Sequence, residues 1–310
     1  MGVAAAIGRR SIWLVNGLIN TLVLVVILLL LAFSCYAIWD SGQVAGAASS
    51  ARYQAFKPTE ENESISFQAL QAVNPDVFAW LTVYGTNIDY PMVQGTDNIR
   101  YVNTNAEGRH SLSGAIFLDF RSAPDFSDFS SIVYGHHMES ATMFGEIAMF
   151  SDAAYFDARR HGMLYYNGEA KGLEFFAFVH ADAYDRSVFR IRITEEADQQ
   201  EYLDLLLGMA MHTRDDVSVT TNDRIVLLST CSAESTNGRD ILIGKITGDV
   251  HPDPFIVERP VAPVAIPAID ELVGSWGQMP LWVQASVIAL PLILLILLVS
   301  IVVNKRRKRK

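Results

Sequence analysis

The sequence predicts a mostly β domain, a barrel or sandwich with a few inserted helices, carried between two transmembrane helices. Three observations predict it. Each end of the 310-residue chain holds a long uncharged apolar segment. The stretch between them is dominated by short strand-like runs that stop at turn residues. Helical periodicity occurs in only a few places there.

Ser11 to Trp39 carries no charge and contains the run Leu22 to Leu31; Leu281 to Val303 is likewise uncharged. Each exceeds the ~20 residues that cross a bilayer as a helix. Arg9 and Arg10 precede the first, and Lys305 to Lys310 follow the second as an unbroken basic run. The positive-inside rule then places both termini in the cytoplasm and the middle of the chain outside. Ala45-Gly46-Ala47 has the small residues of a signal-peptide cleavage site. The apolar run before it is longer than an h-region of ~7–15 residues, which favours a retained anchor. The expected organisation is a cytoplasmic N-terminus (1–10), a transmembrane helix (11–39), a linker (40–60) and an outer domain (61–250). A proline-rich connector (251–278), a second transmembrane helix (279–303) and a basic cytoplasmic tail (304–310) follow.

Within the outer domain, Ala79 to Tyr84 alternates and ends at Gly85. Ala115 to Asp119 and Ser131 to Tyr134 are short strands, the second leading into Gly135-His136-His137. Met163 to Tyr166 and Leu173 to His180 flank Asn167-Gly168, a hairpin signature. Arg224 to Thr230 and Asp240 to Thr247 complete the strands. Helices are expected over Asn62 to Val73, Met143 to Phe150 and Thr194 to His212. Many short strands with few helices suit a barrel or sandwich.

All 34 acidic residues lie between Asp40 and Glu271, with 16 Lys and Arg, so that region carries a net charge near −18. This argues against a nucleic-acid partner outside the membrane. The basic tail beside the second span suits the anionic inner leaflet of the membrane.

The chain has 2 cysteines. Cys35 lies in the first apolar segment, which leaves Cys231 without a disulfide partner in the outer domain. Cys231 ends the strand Arg224-Ile-Val-Leu-Leu-Ser-Thr-Cys231. It is either a small buried hydrophobe or a reactive thiol. A cysteine nucleophile needs a base or cation nearby to form its thiolate. His136 ends an apolar strand after Gly135, where a scaffold holds a side chain rigidly and still exposes it. Arg239 opens the next strand and offers donors to an oxyanion or to a substrate backbone. His136 and His137 point to opposite faces of an extended chain, so they do not chelate one metal together. No metal or cofactor is expected. His110, His161, His180, His212 and His251 are read as ordinary surface or core histidines.

Leu228-Ser-Thr-Cys231 with Arg239, and Tyr134-Gly-His136-His137-Met138 upstream, resembles the sortases, cysteine transpeptidases of the Gram-positive cell surface. Asn87 to Gly95, Ser113 to Asp119, Asp125 to Asp128 and Met143-Phe-Gly145 are similar to the class B branch. The Thr194–His212 helix stands where that branch carries an inserted one, and the resemblance covers about Ser64 to Asp249. It implies an eight-stranded β-barrel, with Cys231 as nucleophile, His136 as general acid/base and Arg239 as transition-state stabiliser. Ser229 and Thr230, just before the cysteine, are expected to contact substrate. The implied substrate is a surface or pilin protein bearing a Leu-Pro-x-Thr-Gly-like sorting signal. It is held as a thioacyl enzyme and passed to an amine, either a peptidoglycan precursor or a pilin lysine.

One feature departs from the class B pattern. A second, C-terminal span with a basic tail is more typical of class C enzymes, which polymerise pilins. Those carry an Asp-Pro-aromatic lid before the barrel, whereas Asp253-Pro-Phe255 here follows it. The alternative readings are a cysteine peptidase that releases its product to water and a non-catalytic anchored scaffold. With no carboxylate in view to orient His136, thiol and imidazole are expected to be mostly neutral at pH 7, titrating as a couple. An alkylation rate of Cys231 that rises well below pH 7 would contradict this.

Overall fold

The computed structural model describes residues 2–58, 65–138, 141–231 and 237–255. Contacts divide the chain into two units, one of Met1–Gly42 with Pro260–Lys310 and one of Gln43–Arg259. In the first unit begins helix α1 (Gly2–Ala48), whose stretch Val15–Ile38 is long and apolar enough to cross a membrane. The expected second span and basic tail lie outside the described residues, as does the connector beyond Phe255.

In the second unit, α2 (Ile65–Val73) precedes strands β1 (Val77–Val83), β2 (Asp89–Val93), β3 (Ile116–Leu118) and β4 (Ser130–Tyr134). Helix α3 (Ala153–Ala158), β5 (His161–Tyr166) and β6 (Glu169–Asp182) follow, then α4 (Glu196–Met209), β7 (Ala210–Thr213), β8 (Ile225–Cys231) and β9 (Gly238–Thr247). The strands join in the order β5-β1-β2-β3-β4-β8-β9-β6-β7, and β5 also pairs with β6. That last pairing closes eight strands into a barrel, with β7 added on the outside. The closing contact is the hairpin read from Asn167-Gly168, whose positive φ values of 52° and 81° suit a two-residue turn.

Side-chain alternation builds two cores. Val226 and Leu228 of β8, Leu242 of β9 and Val133 of β4 belong to one cluster, which also holds Trp80, Phe144 and Phe178. Their neighbours Ile225, Leu227, Ile241, Ile243 and Ile132 belong to a second, covered by Tyr202, Leu203 and Leu206 of α4. The sheet is therefore apolar on both faces over β4, β8 and β9, which is why these runs read as nearly continuous hydrophobic stretches.

Three expectations change. The expected linker is structured over residues 40–56: α1 runs on to Ala48, and a 3₁₀ turn follows at Ser50–Phe56. The Tyr90 hydroxyl donates to Ala48 O at 2.8 Å, Tyr53 is buried, and Arg52 and Lys57 pair with Glu107 and Asp89 at 2.8 Å each. Small residues there pack rather than flex. The helix expected over Met143–Phe150 is a 3₁₀ turn at Ile147–Ser151, because Ala141 and Met143 have positive φ of 56° and 53°. Phe144, Ile147 and Phe150 are buried even so. The long helix stops at Met209 rather than His212, since Ala210–Thr213 takes the edge of β6 left open beyond β5.

Candidate active site

Three adjacent strands bring the sequence-predicted residues together. β4 runs parallel to β8, with Tyr134 opposite Ser229, and β8 runs antiparallel to β9, with Cys231 opposite Arg239. His136 lies two residues beyond Tyr134, as Cys231 lies two residues beyond Ser229. The ends of β4 and β8 and the start of β9 thus meet at one rim of the barrel.

A cavity of about 420 Å³ opens there. His136, Arg239, Ser229 and Thr230 line it, with Asn98, Val102, Phe117, Tyr134, Ala183 and Phe189 among its other walls. Ser229 and Thr230 are almost fully buried, and among the described residues their hydroxyls have no hydrogen-bond partner.

Gly135 sets the backbone path into His136. A Cβ added there would stand 2.6 Å from Ile116 Cδ1 and 2.7 Å from Phe144 Cδ2, so only glycine lets the strand end lie this close to the core. His136 Nε2 lies 2.8 Å from the main-chain oxygen of Val102. A carbonyl only accepts, so Nε2 carries the proton in this contact and Nδ1 is the nitrogen not engaged by it. Arg239 donates from Nη1 to Gly238 O at 2.9 Å and has no described carboxylate within 4 Å.

Behind the cavity, Asp119 is fully buried. It accepts from Asn98 Nδ2 at 2.8 Å, from Arg121 Nε and Nη2 at 2.9 and 2.8 Å, and from the Tyr134 hydroxyl at 3.3 Å. Burial raises the Asp119 pKa, but the bonds from Arg121 and Asn98 outweigh it and hold the carboxyl below its usual range. Burial, reinforced by the Asp119 charge, raises the Tyr134 pKa, so its phenol stays protonated as a donor.

The six other histidines, His137 among them, lie outside this cavity. His180 pairs with Asp240 at 2.9 Å, His212 bonds the Ser151 carbonyl at 2.7 Å, and His161 stacks on His251 at 4.0 Å between centroids. Phe255 packs over Gly85 and Arg159 and does not line the cavity either. Among the described residues, no group of three His, Cys, Asp or Glu is placed to hold a metal. Sequence reasoning missed Asn98, Phe117, Val102 and Phe189. Tyr134 had a signal, its place in the Tyr-Gly-His run; the Val102 contribution is a main-chain oxygen and leaves no mark on residue type.

A closed eight-stranded barrel with a cysteine strand end facing an arginine, and a histidine one strand over, defines the sortase class of cysteine transpeptidases. Sortase B of Listeria monocytogenes is 32% identical over 180 residues, 57% of this chain and 72% of that protein. Sortase B of Staphylococcus aureus is 29% identical over 191 residues, 60% of this chain and 77% of its own length. Among solved structures, the sortase B from the type II pilus of Streptococcus pneumoniae is 50% identical with a TM-score of 0.52, over 59% of this chain and 99% of that one. A Streptococcus pyogenes class B sortase involved in pilus biogenesis is 37% identical with a TM-score of 0.54, over 59% and 98%. No protein-family model matches the chain. The chain belongs to the class B sortases.

Proposed function

We propose that Cys231, His136 and Arg239 are the catalytic set and that the chain joins proteins bearing a Leu-Pro-x-Thr-Gly-like signal to an amine at the cell surface. The observation that carries this is the register of β4, β8 and β9, which sets Cys231 opposite Arg239 with His136 at the neighbouring strand end. The Cys231 thiolate attacks the threonine carbonyl, a C–S bond forms, and Arg239 steadies the oxyanion. The C–N bond then breaks, and His136 gives its Nδ1 proton to the leaving amine. The incoming amine attacks the thioester, forms the new amide and passes a proton to His136, and the thiolate departs. The thioester conserves the acyl bond's energy, so no ATP is needed. Ser229 and Thr230, whose buried hydroxyls have no partner among the described residues and which line the cavity, are assigned to the substrate groove.

The apolar stretch Val15–Ile38 supports an anchored enzyme, and the charge-free 279–303 segment with its basic tail supports a second span. Both termini are then cytoplasmic and the barrel lies outside. Peptidoglycan precursor and pilin lysine both fit the chemistry as acceptor. Identity to the two pilus sortases, 50% and 37%, exceeds the 29% to the Staphylococcus aureus enzyme, and this favours the lysine.

The test incubates the full chain in detergent with a sorting-signal peptide and two amines, triglycine and a lysine peptide. Amide product in the wild type and none with Cys231→Ala is expected. Product with Cys231→Ala, or hydrolysis alone in the wild type, would overturn the reading.

A further inference from the structure

A second cavity of about 910 Å³ adjoins the first and shares Ala183 and Phe189 with it. It is formed by the connection between β6 and α4, and Arg186, Arg190 and Arg192 line it together with Arg121. This is an unexpected place for cations to gather, because the region from Asp40 to Glu271 is strongly acidic. Elsewhere on the barrel, Lys57, Arg100, Arg160 and Lys245 each sit 2.6–2.9 Å from a carboxylate. Arg186, Arg190 and Arg192 have no salt bridge among the described residues, nor has Arg239 in the adjoining cavity.

Two of the three are held by contacts that leave their charge available, and Arg186 is exposed. Arg190 lies 5.8 Å from the centre of the Tyr202 ring, and Arg192 Nε donates to Arg121 O at 3.0 Å. Arg121 itself is neutralised by Asp119. Two carboxylates also line the cavity. Asp185 is turned to its own loop, accepting from the Ser187 N–H at 2.9 Å and from the Ser187 hydroxyl, while Asp198 stands in the first turn of α4. Three guanidiniums with no described carboxylate partner, set against these two, leave a surplus of positive charge.

A lysine side chain arrives as an ammonium. Next to Arg239 and three further cations it would be repelled, unless carboxylates beside it offset the charge. We infer that the Arg186–Arg190–Arg192 cavity is an anion subsite for the acceptor, and that it takes carboxylates flanking the lysine of an acidic peptide segment. Guanidinium forks suit carboxylates, and Tyr184, Phe189 and Ile191 in the same wall suit the intervening apolar side chains. This rests on the transpeptidase reading above and extends it to the choice of acceptor.

The experiment measures acceptor kinetics for the full chain in detergent, with one sorting-signal donor and two lysine peptides that differ only in flanking Asp or Asn. The wild type is expected to favour the Asp peptide three- to tenfold in kcat/KM, less so in high salt. Arg186→Gln with Arg190→Gln should bring that ratio to about one. Arg186→Gln alone, at an exposed residue, should lower it in part and covers the case in which the pair of changes disturbs folding. The proposal is overturned if the wild type shows no preference, if the variants keep it, or if the change appears in the KM for the donor. It is also overturned if inorganic diphosphate competes with the acceptor while the peptides do not differ, since the cavity would then read phosphate. Absence of any transfer, even to triglycine, would instead sink the transpeptidase reading itself.

Discussion

The Val102 carbonyl accepts a hydrogen bond from His136 Nε2 at 2.8 Å. A main-chain oxygen thus does for this histidine what a carboxylate does in a Ser-His-Asp triad: it selects the tautomer and holds the ring. It brings no full negative charge to the imidazole. If Nδ1 carries the proton exchange, His136→Ala should lower kcat/KM by ~10²–10⁴. Added imidazole should restore part of the loss, because the space left by the ring opens to the cavity. A variant with unchanged activity would remove His136 from the chemistry.

Arg239 has its guanidinium at the cavity wall and no described carboxylate to neutralise it. Arg239→Ala should cost ~10²–10³ in kcat with little change in the donor KM, the pattern of an interaction made in the transition state. Arg239→Lys should recover only a part, since an ammonium lacks the planar fork. A loss confined to KM would make Arg239 a binding residue.

Gly135→Ala places a methyl group 2.6 Å from Ile116 Cδ1 and 2.7 Å from Phe144 Cδ2. Overpacking of this kind costs ~1–3 kcal/mol, which denaturant unfolding would read. The strand end that presents His136 must also move, so activity should fall further than stability explains. Phe144→Leu in the same chain should return part of both.

Hydrogen bonds from Arg121 and Asn98 outweigh burial and hold the Asp119 carboxyl below the usual carboxylate range. A group depressed by folding contributes stability that is present above its unfolded pKa and is lost as pH falls through the folded one. Thermal unfolding of the wild type should therefore become steeply pH-dependent below the ordinary carboxylate range. Asp119→Asn should be destabilised at neutral pH and show a shallower slope at acid pH. The slope would not vanish, because Asp89 and Asp223 are held low as well. An unchanged slope would mean that Asp119 is not a contributor.

Much of the candidate site was legible in residue order. Cys231, His136 and Arg239 each stand at a strand end, and strand ends are marked by apolar runs that stop. Asn98, Phe189 and Ala183 were not legible, because they lie on loops between Val93 and Ile116 and between β6 and α4 that carry no periodicity. The linker was misread for a related reason. Small residues signal flexibility only when nothing packs on them, and Ala48 and Tyr53 are buried.

By itself the sequence determined the alternation of β8 and β9, the hairpin at Asn167-Gly168 and the apolar end segment, because period and turn chemistry are local. Which strands became neighbours was decided only in the tertiary structure. β4 and β8 are some ninety residues apart in sequence and pair in parallel, and closure of β5 on β6 depends on the whole barrel. The same holds for the arginines between β6 and α4. Their order is plain in the chain, but only the fold sets them in a cavity adjoining that of His136 and Arg239, with no salt bridge to a described carboxylate.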